Sequence, residues 1–385
     1  MKGNNNGRVF YLCFYSDPEV EDKIITYPSV KPKIDYVASK IKELGKKVII
    51  VSVAPSVNEK FLGFEKEIDT LEKHIYLSSI NRKCKFFQKI ETLRHWNKIF
   101  HFLKKNLKED DILLVYHSLY HRVWLKKYNT RYKRSFILEI EDVFSSLSLA
   151  TKKFKKQEWK LFDLAESCIC INDIVYNKIE RVSRKMISYG SYQLPPLYNK
   201  ERRKKIRIVY AGVIEQERKA AFLAVQAMRY LPSHYELRIL GFGEAYNLEA
   251  LQVLIDEVNE EKGTDSIKFE GRKSGQEYYK FLQSCDIALS THAYDESNIE
   301  SANHTFPSKI LVYMANGLRV VAQHLEVLEK SAIGELLYFY GKPNPEAIAN
   351  TIKGIDMTVP YDSRERIEEL DKKFTKDIRK LLEKV

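Results

Sequence analysis

The chain has 385 residues, 44% hydrophobic and 30% charged, with a formal net charge of +12. That length exceeds what one compact core usually takes, so two domains are expected. No run of 18 or more apolar residues occurs and the polar stretch Met1–Gly7 lacks an apolar core, so neither a membrane-spanning helix nor a signal peptide is expected.

The charge is uneven. Residues 1–200 carry 37 Lys and Arg against 23 Asp and Glu, whereas residues 201–385 carry 27 against 29. The basic half either meets an anionic partner or presents a solvated basic face. Nucleic acid, anionic lipid headgroups and phosphorylated substrates are the candidate partners. The five cysteines (Cys13, Cys84, Cys168, Cys170, Cys285) are odd in number and lack zinc-ligand spacing. Reduced, buried thiols in a cytosolic protein are expected.

The first half alternates apolar runs of strand length with helical periodicity. Arg8–Tyr15 reads as a strand. Lys33–Leu44 reads as a helix with Ile34, Val37, Ala38, Ile41 and Leu44 on one face, closed by Gly45. Lys47–Val53 is a β-branched run typical of a buried parallel strand. Phe86–Leu107 is a long helical pattern. Asp111–Tyr116, Ser135–Ile140 and Ser167–Ile171 are further strands, with a basic helical segment, Leu149–Glu166, before the last. Two prolines, Pro195 and Pro196, followed by the charge run Glu201–Lys205, mark a linker.

The second half restarts the pattern. Strands are expected at Ile206–Tyr210, Glu236–Leu240, Ile267–Glu270, Ile287–Ser290 and over 318–322. Helices are expected at Ala220–Tyr230, Leu248–Glu261, Gln276–Ser284 and over 306–316. Charged helical segments close the chain from Ser363 to Leu382. Repeated β-α-β units with such apolar strands predict two doubly wound, Rossmann-like α/β domains with parallel sheets, facing a central cleft. Their ligands belong beyond the carboxyl ends of the strands.

The segment from His304 to Val321 is the most informative. Pro307 suits the first turn of a helix, and Gly317 suits a left-handed cap at its end. Ser308 and Lys309 then fall in the first turn and offer a hydroxyl, backbone N–H groups and an ammonium to a phosphate or diphosphate. An ordinary helix start with a surface lysine fits the local sequence equally well. Other loops converge on the same edge. Gly212 permits close backbone approach, with Arg218 and Lys219 just before a helix. Gly241-Phe242-Gly243 is a second glycine turn, for which structural need is a sufficient explanation. Gly271-Arg272-Lys273 ends a third strand. The long polar loop Thr291–Phe306 leads into Pro307.

In the first domain, His117 follows the strand Asp111–Tyr116 and is a candidate general base facing the cleft. A hydrogen-bonded loop histidine is the bland alternative. Glu139, Glu141 and Asp142 cluster at a strand end, where they would orient an acceptor hydroxyl, deprotonate it, or cap the next helix. His117 and His121 have metal-like spacing but no adjacent carboxylate, so no metal site is assigned. Trp124, Tyr128 and Tyr132, among basic residues, suit an interface or simple packing.

With these residues in place, the chain resembles the GT-B glycosyltransferases, and within them the group 1, family 4-like enzymes of bacterial polysaccharide biosynthesis. The resemblance is specific at 304–321 and at Tyr189-Gly190-Ser191-Tyr192 with Tyr210-Ala211-Gly212, and it extends to Ile137–Ser145. It implies transfer of a sugar from a nucleotide-sugar donor, UDP- or GDP-linked, to a glycan or lipid-linked oligosaccharide acceptor. It implies retention of anomeric configuration and no required metal. Arg218, Lys219, Ser308 and Lys309 would bind the donor diphosphate, Arg272 would line the base pocket, and His117 would face sugar and acceptor. The sequence departs from the family pattern at Val312 and His304, where many members carry glutamates; His304, placed near the sugar, is with His117 and Glu139 a candidate catalytic residue.

The implied layout is an acceptor-binding domain at 1–192, a linker at 193–205, a donor-binding domain at 206–362, and C-terminal helices at 363–385 packing back toward the first domain. The implied location is the cytoplasm, peripheral at the inner membrane face on anionic lipid. A non-catalytic GT-B partner subunit is the alternative, favoured by Val312 and His304. A sugar-nucleotide epimerase ranks below it. Nucleic-acid binding, which rests on net charge alone, is not expected. Hydride transfer is disfavoured because no G-x-G-x-x-G follows the first strand.

Overall fold

A computed structural model describes residues 7–26, 30–58, 60–81, 85–146, 151–200, 203–217, 219–295 and 298–383. The chain divides into two units, one comprising 1–191 with 373–385 and the other 192–372. Residues 193–205 and 363–372 thus group with the second unit, and only the last part of the C-terminal helix groups with the first.

The first unit contains β1 (Val9–Cys13), β2 (Val48–Ser52), β3 (Lys60–Phe61), β4 (Phe64–Glu67), β5 (Glu72–Tyr76), β6 (Ser79–Ile80), β7 (Ile112–Tyr116), β8 (Ile137–Ile140), β9 (Ser167–Cys170) and β10 (Arg184–Ile187). Eight of them form one sheet in the order β10-β9-β8-β7-β1-β2-β5-β4, and β3 and β6 pair separately. β1 lies parallel between β2 and β7 and is buried along its whole length. That is why its sequence reads as an unbroken apolar run.

The 60–80 region carries no such run, and its strands were not expected. β4 is an exposed antiparallel edge strand, held by Lys73 between Glu65 and Glu67 at 2.6 and 3.3 Å. An edge strand facing water needs charge rather than apolar residues. The helix Arg122–Tyr132 also escaped the sequence reading, because its mean composition is strongly polar while Trp124, Leu125 and Tyr128 point inward. Trp124 and Tyr128 therefore pack in the core and are not interfacial. The end of the C-terminal helix packs within this unit. Phe374 meets Tyr36 with ring centroids 5.0 Å apart, and the Arg184 guanidinium donates to the Leu381 carbonyl at 3.1 Å.

The second unit is a six-stranded parallel sheet of β11 (Ile206–Val213), β12 (Tyr235–Phe242), β13 (Ile267–Gly271), β14 (Ile287–Ser290), β15 (Arg319–Gln323) and β16 (Leu337–Tyr340), in the order β13-β12-β11-β14-β15-β16. Ile208, Leu237, Ile239, Leu289 and Val321 pack in one core cluster with residues of the helices Ala220–Ala227, Ala245–Lys262 and Pro345–Lys353. The alternate residues Val209, Ala288, Val320 and Ala322 are equally buried, so both faces of the sheet are covered. The fold class expected from the sequence is therefore the observed one: two α/β units with parallel sheets.

Cys13, Cys168, Cys170 and Cys285 are free and buried, while Cys84 lies outside the described residues. Burial pushes the Cys170 and Cys285 thiols up to about 12, which keeps them protonated and unreactive.

Candidate functional site

The carboxyl ends of β11, β12 and β13 carry most of the expected donor residues. β11 and β12 run longer than their apolar cores predict, so Gly212 and Gly241 lie inside the strands and face each other in register. The expected glycine turn at 241–243 is thus a strand end. A Cβ on Gly241 would collide with the Gly212 carbonyl, and one on Gly243 with the Ile214 carbonyl. Both glycines are needed for close strand packing, whatever else they do. Gly212 differs. A Cβ there would run into the Nζ of Lys309 and come within 2.8 Å of the Tyr210 hydroxyl. The lysine from the His304–Val321 segment therefore lies directly on the half-buried end of the central strand.

That meeting depends on Tyr313, a residue the sequence reading passed over. β14 pairs with β11 only as far as Tyr210. One residue beyond, the Ala211 N–H donates to the Tyr313 hydroxyl at 3.0 Å, and that hydroxyl donates back to the Ala211 carbonyl at 3.1 Å. Tyr313 is fully buried on the helix Lys309–Ala315. It completes the hydrogen bonding of the strand end and fixes the helix that begins with Lys309. Nothing in local sequence signals this, because it depends on where the neighbouring strand stops.

The helix itself is shorter than expected. Pro307 precedes it, Ser308 is its N-cap residue with no side-chain cap bond, and Lys309 is its first residue. Gly317 adopts φ +79°, the left-handed cap expected of it. Ser308 and Lys309 are exposed, while Pro307 is half-buried.

Lys219 is exposed at the start of the helix Ala220–Ala227 and takes a left-handed φ of 55°. A non-glycine residue held there is strained, and such strain concentrates at functional sites. The turn before it is anchored by Asn247, whose side-chain oxygen accepts from the Gln216 N–H at 3.2 Å. Arg218 lies outside the described residues. Arg272 is exposed, with its guanidinium 5.1 Å from the centroid of the Phe242 ring. Phe242 is itself 48% exposed, so a flat apolar face and a cation stand together at the ends of β12 and β13.

Three residues expected to act in catalysis have other surroundings. His304 is 4% exposed, and its Nδ1 lies 2.8 Å from the Glu300 carbonyl oxygen, which anchors the loop. His117 does follow β7, but its imidazole is buried beside Phe144 and Phe162. Its Nε2 is 2.9 Å from Glu158, and its Nδ1 has no protein partner among the described residues. Burial raises the Glu158 carboxyl, but hydrogen bonds from His117 and Ser145 outweigh that and hold it below its usual range. Glu139 is wholly buried, accepts a hydrogen bond from the Tyr11 hydroxyl, and lies 3.9 Å from Lys33. Burial pushes its carboxyl up despite the opposing Lys33 charge.

His117, Glu139 and His304, the expected catalytic residues, are thus all buried, and the partners named for each belong to its own unit. The reason is the same throughout. A polar residue at a strand end is ambiguous in sequence between serving a ligand and serving the fold. Glu141 is also drawn inward, 3.2 Å from the Lys33 amine, which bonds the Gly190 carbonyl at 3.2 Å as well. His121 accepts from the Trp124 indole at 3.1 Å.

Residues 205–355, within the second unit, match the family model described as glycosyl transferases group 1. Three solved structures illustrate the likeness of the whole fold. The E. coli trehalose-6-phosphate structure bound with UDP-2-fluoro glucose aligns over 98% of this chain and 99% of its own, with TM-score 0.65 and 8% identity. A UDP-forming alpha,alpha-trehalose-phosphate synthase from Burkholderia xenovorans aligns over 97% and 99%, with TM-score 0.64 and 11% identity. Anabaena HepE in complex with UDP aligns over 97% and 99%, with TM-score 0.62 and 11% identity. No curated protein sequence matches the chain.

Proposed function

We propose that the chain is a retaining, metal-independent glycosyltransferase of the family 4-like, polysaccharide-building type. It moves a sugar from a nucleotide diphosphate sugar to a hydroxyl of a glycan or lipid-linked oligosaccharide. The unit around 206–362 holds the donor in this reading, and residues 1–192 serve the acceptor. The work is done in the cytoplasm at the anionic inner membrane face.

The observation that carries the reading is Lys309 lying on Gly212 at the end of β11, fixed by Tyr313. When the bond between the sugar's anomeric carbon and the phosphate oxygen breaks, negative charge develops on the departing diphosphate. An ammonium held in place beforehand stabilises that charge without reorganising. Lys219 and the Ser308 hydroxyl extend the same anion-binding edge, and Arg218, outside the described residues, is assigned to it from the sequence alone. Phe242 and Arg272 offer a stacking face for the nucleotide base. The glycosyl transferases group 1 match over 205–355, and the UDP ligands of two similar folds, make UDP-sugars the first donors to test.

The test is a thermal-shift screen across UDP-, GDP-, dTDP- and CMP-sugars. A UDP- or GDP-sugar should raise the melting temperature. Lys309→Ala should remove the shift, because losing a charged hydrogen bond weakens binding by about 1.5–3 kcal/mol, roughly tenfold to a hundredfold. Undiminished binding by the variant refutes the phosphate role. No shift and no hydrolysis with any donor would turn the reading toward a non-catalytic partner subunit, the role that Val312 and His304 would then explain.

A further inference from the structure

On the first unit lies a groove of about 490 Å³, lined by Val123, Lys126, Gln157, Lys160, Leu161 and Leu164, with Asp163 and Arg181 at its margin. It belongs to the helices Arg122–Tyr132 and Lys152–Phe162 and the segment before β10. None of the donor residues lines it. Its size is that of a pocket for a small organic molecule.

Two features define what fits. The floor is apolar: Val123 is 47% exposed and Leu161 closes the bottom. The rim is cationic: Lys126 and Lys160 are exposed, and the Arg181 side chain is 79% exposed. One carboxylate, Asp163, stands against these three cations, at 3.9 Å from Arg181.

The surrounding helices have a single sign. Arg122–Tyr132 carries no acidic residue, and Lys152–Phe162 carries only Glu158, which is turned inward onto His117. Lys127, Lys152, Lys153 and Lys156 are all exposed on them. The Lys178 amine lies 5.8 Å from the centroid of the half-buried Trp159 ring. A basic face with apolar and aromatic residues let into it fits an anionic lipid interface. A nucleic acid fits less well, because Trp124 and Tyr128, the aromatics that would stack on bases, are in the core.

We propose that the groove is a binding site for an anionic phospholipid. An acyl segment lies on Val123, Leu161 and Leu164, and Lys126, Lys160 and Arg181 hold the phosphate. This rests on the anionic-membrane part of the reading above and gives that surface a location. It stands independently of sugar transfer.

The test uses the full chain in vesicle co-sedimentation, comparing phosphatidylcholine alone with phosphatidylcholine containing phosphatidylglycerol. The chain should sediment with the anionic vesicles only. A cation near an anionic surface contributes about fivefold in affinity, so Lys126→Gln, Lys160→Gln and Arg181→Gln together should weaken binding about a hundredfold. Val123→Glu, at an exposed position, should weaken it also by placing a carboxylate at the mouth. A control triple in the second unit, Lys330→Gln, Lys342→Gln and Lys353→Gln, should change it far less. Equal losses in the two triples, or none in the groove triple, overturn the groove while leaving membrane binding intact. Failure of the unaltered chain to bind anionic vesicles overturns both the groove and the membrane reading. The donor thermal shift is unaffected by either result and is read separately.

Discussion

Lys33 and Lys309 make an instructive pair. Each stands at the beginning of a helix, in a different unit, near the carboxyl ends of parallel strands. Lys33 is 5% exposed and sits between Glu139 and Glu141, with its amine also bonded to the Ser188 and Gly190 carbonyls. Lys309 is exposed and lies on a glycine. The fold encloses the first beside two carboxylates and leaves the second at the surface. An incoming anion can reach a cation at a strand end only in the second case, since a buried pair is already withdrawn from water.

The largest expected effect tests the inward half of this contrast. Lys33→Met leaves two carboxylates enclosed without their cation, and breaking such a buried pair costs about 3–5 kcal/mol. The loss should depend on pH. Burial raises the Glu139 and Glu141 carboxyls above their ordinary value of 4.5. The folded state therefore keeps protons that the unfolded chain releases. Stability held below pH 4.5 is lost as pH rises through the raised folded values. In the variant, with no lysine to oppose the shift, the drop in melting temperature should be small in mild acid and large at neutral and alkaline pH. A drop of the same size at all pH values would show that Lys33 is not the countercharge.

Next in size is Tyr313→Phe. It leaves the Ala211 N–H and carbonyl without their partner beyond the end of β14, a loss of about 1–3 kcal/mol in stability. Because the same hydroxyl fixes the helix carrying Lys309, donor affinity should fall together with the melting temperature. Lower stability with unchanged donor binding would separate the two roles.

These cases mark where sequence suffices. The parallel strands were legible because burial on both faces leaves an unbroken apolar run, as in β1, β2 and β7. Gly317 was legible because a left-handed cap has a local chemical signature. Lys33 was not, since a lysine on an amphipathic helix ordinarily faces water and only the approach of β8 and the turn after β10 encloses it. Tyr313 was not, since its task is set by the length of a strand distant in sequence. His117 and Glu139 were visible as polar groups at strand ends. Which way they face was decided by Glu158, Tyr11 and Lys33, none adjacent in sequence.

A smaller effect is expected where the outward lysine meets its glycine. A Cβ on Gly212 would displace the flexible end of Lys309 and press on the Tyr210 hydroxyl, but would meet no backbone. Gly212→Ala should therefore lower the melting temperature only modestly yet weaken donor binding by about tenfold, roughly 1.4 kcal/mol. A large loss of stability instead would mean that Gly212 serves the packing of the sheet, as Gly241 and Gly243 do.

The smallest effect separates the parts of the donor. Arg272 over the exposed Phe242 ring is a cation–π contact of about 0.5–1 kcal/mol, and its flat face suits a base rather than a phosphate. Phe242→Leu keeps an apolar side chain but removes the π face. Affinity for UDP, read by calorimetry, should fall about twofold to fivefold, while affinity for inorganic pyrophosphate should not change. Lys309→Ala should weaken both ligands alike, because its charge meets the diphosphate they share. If Phe242→Leu weakened pyrophosphate as much as UDP, the ring would be supporting the phosphate edge, and the base would have to bind elsewhere.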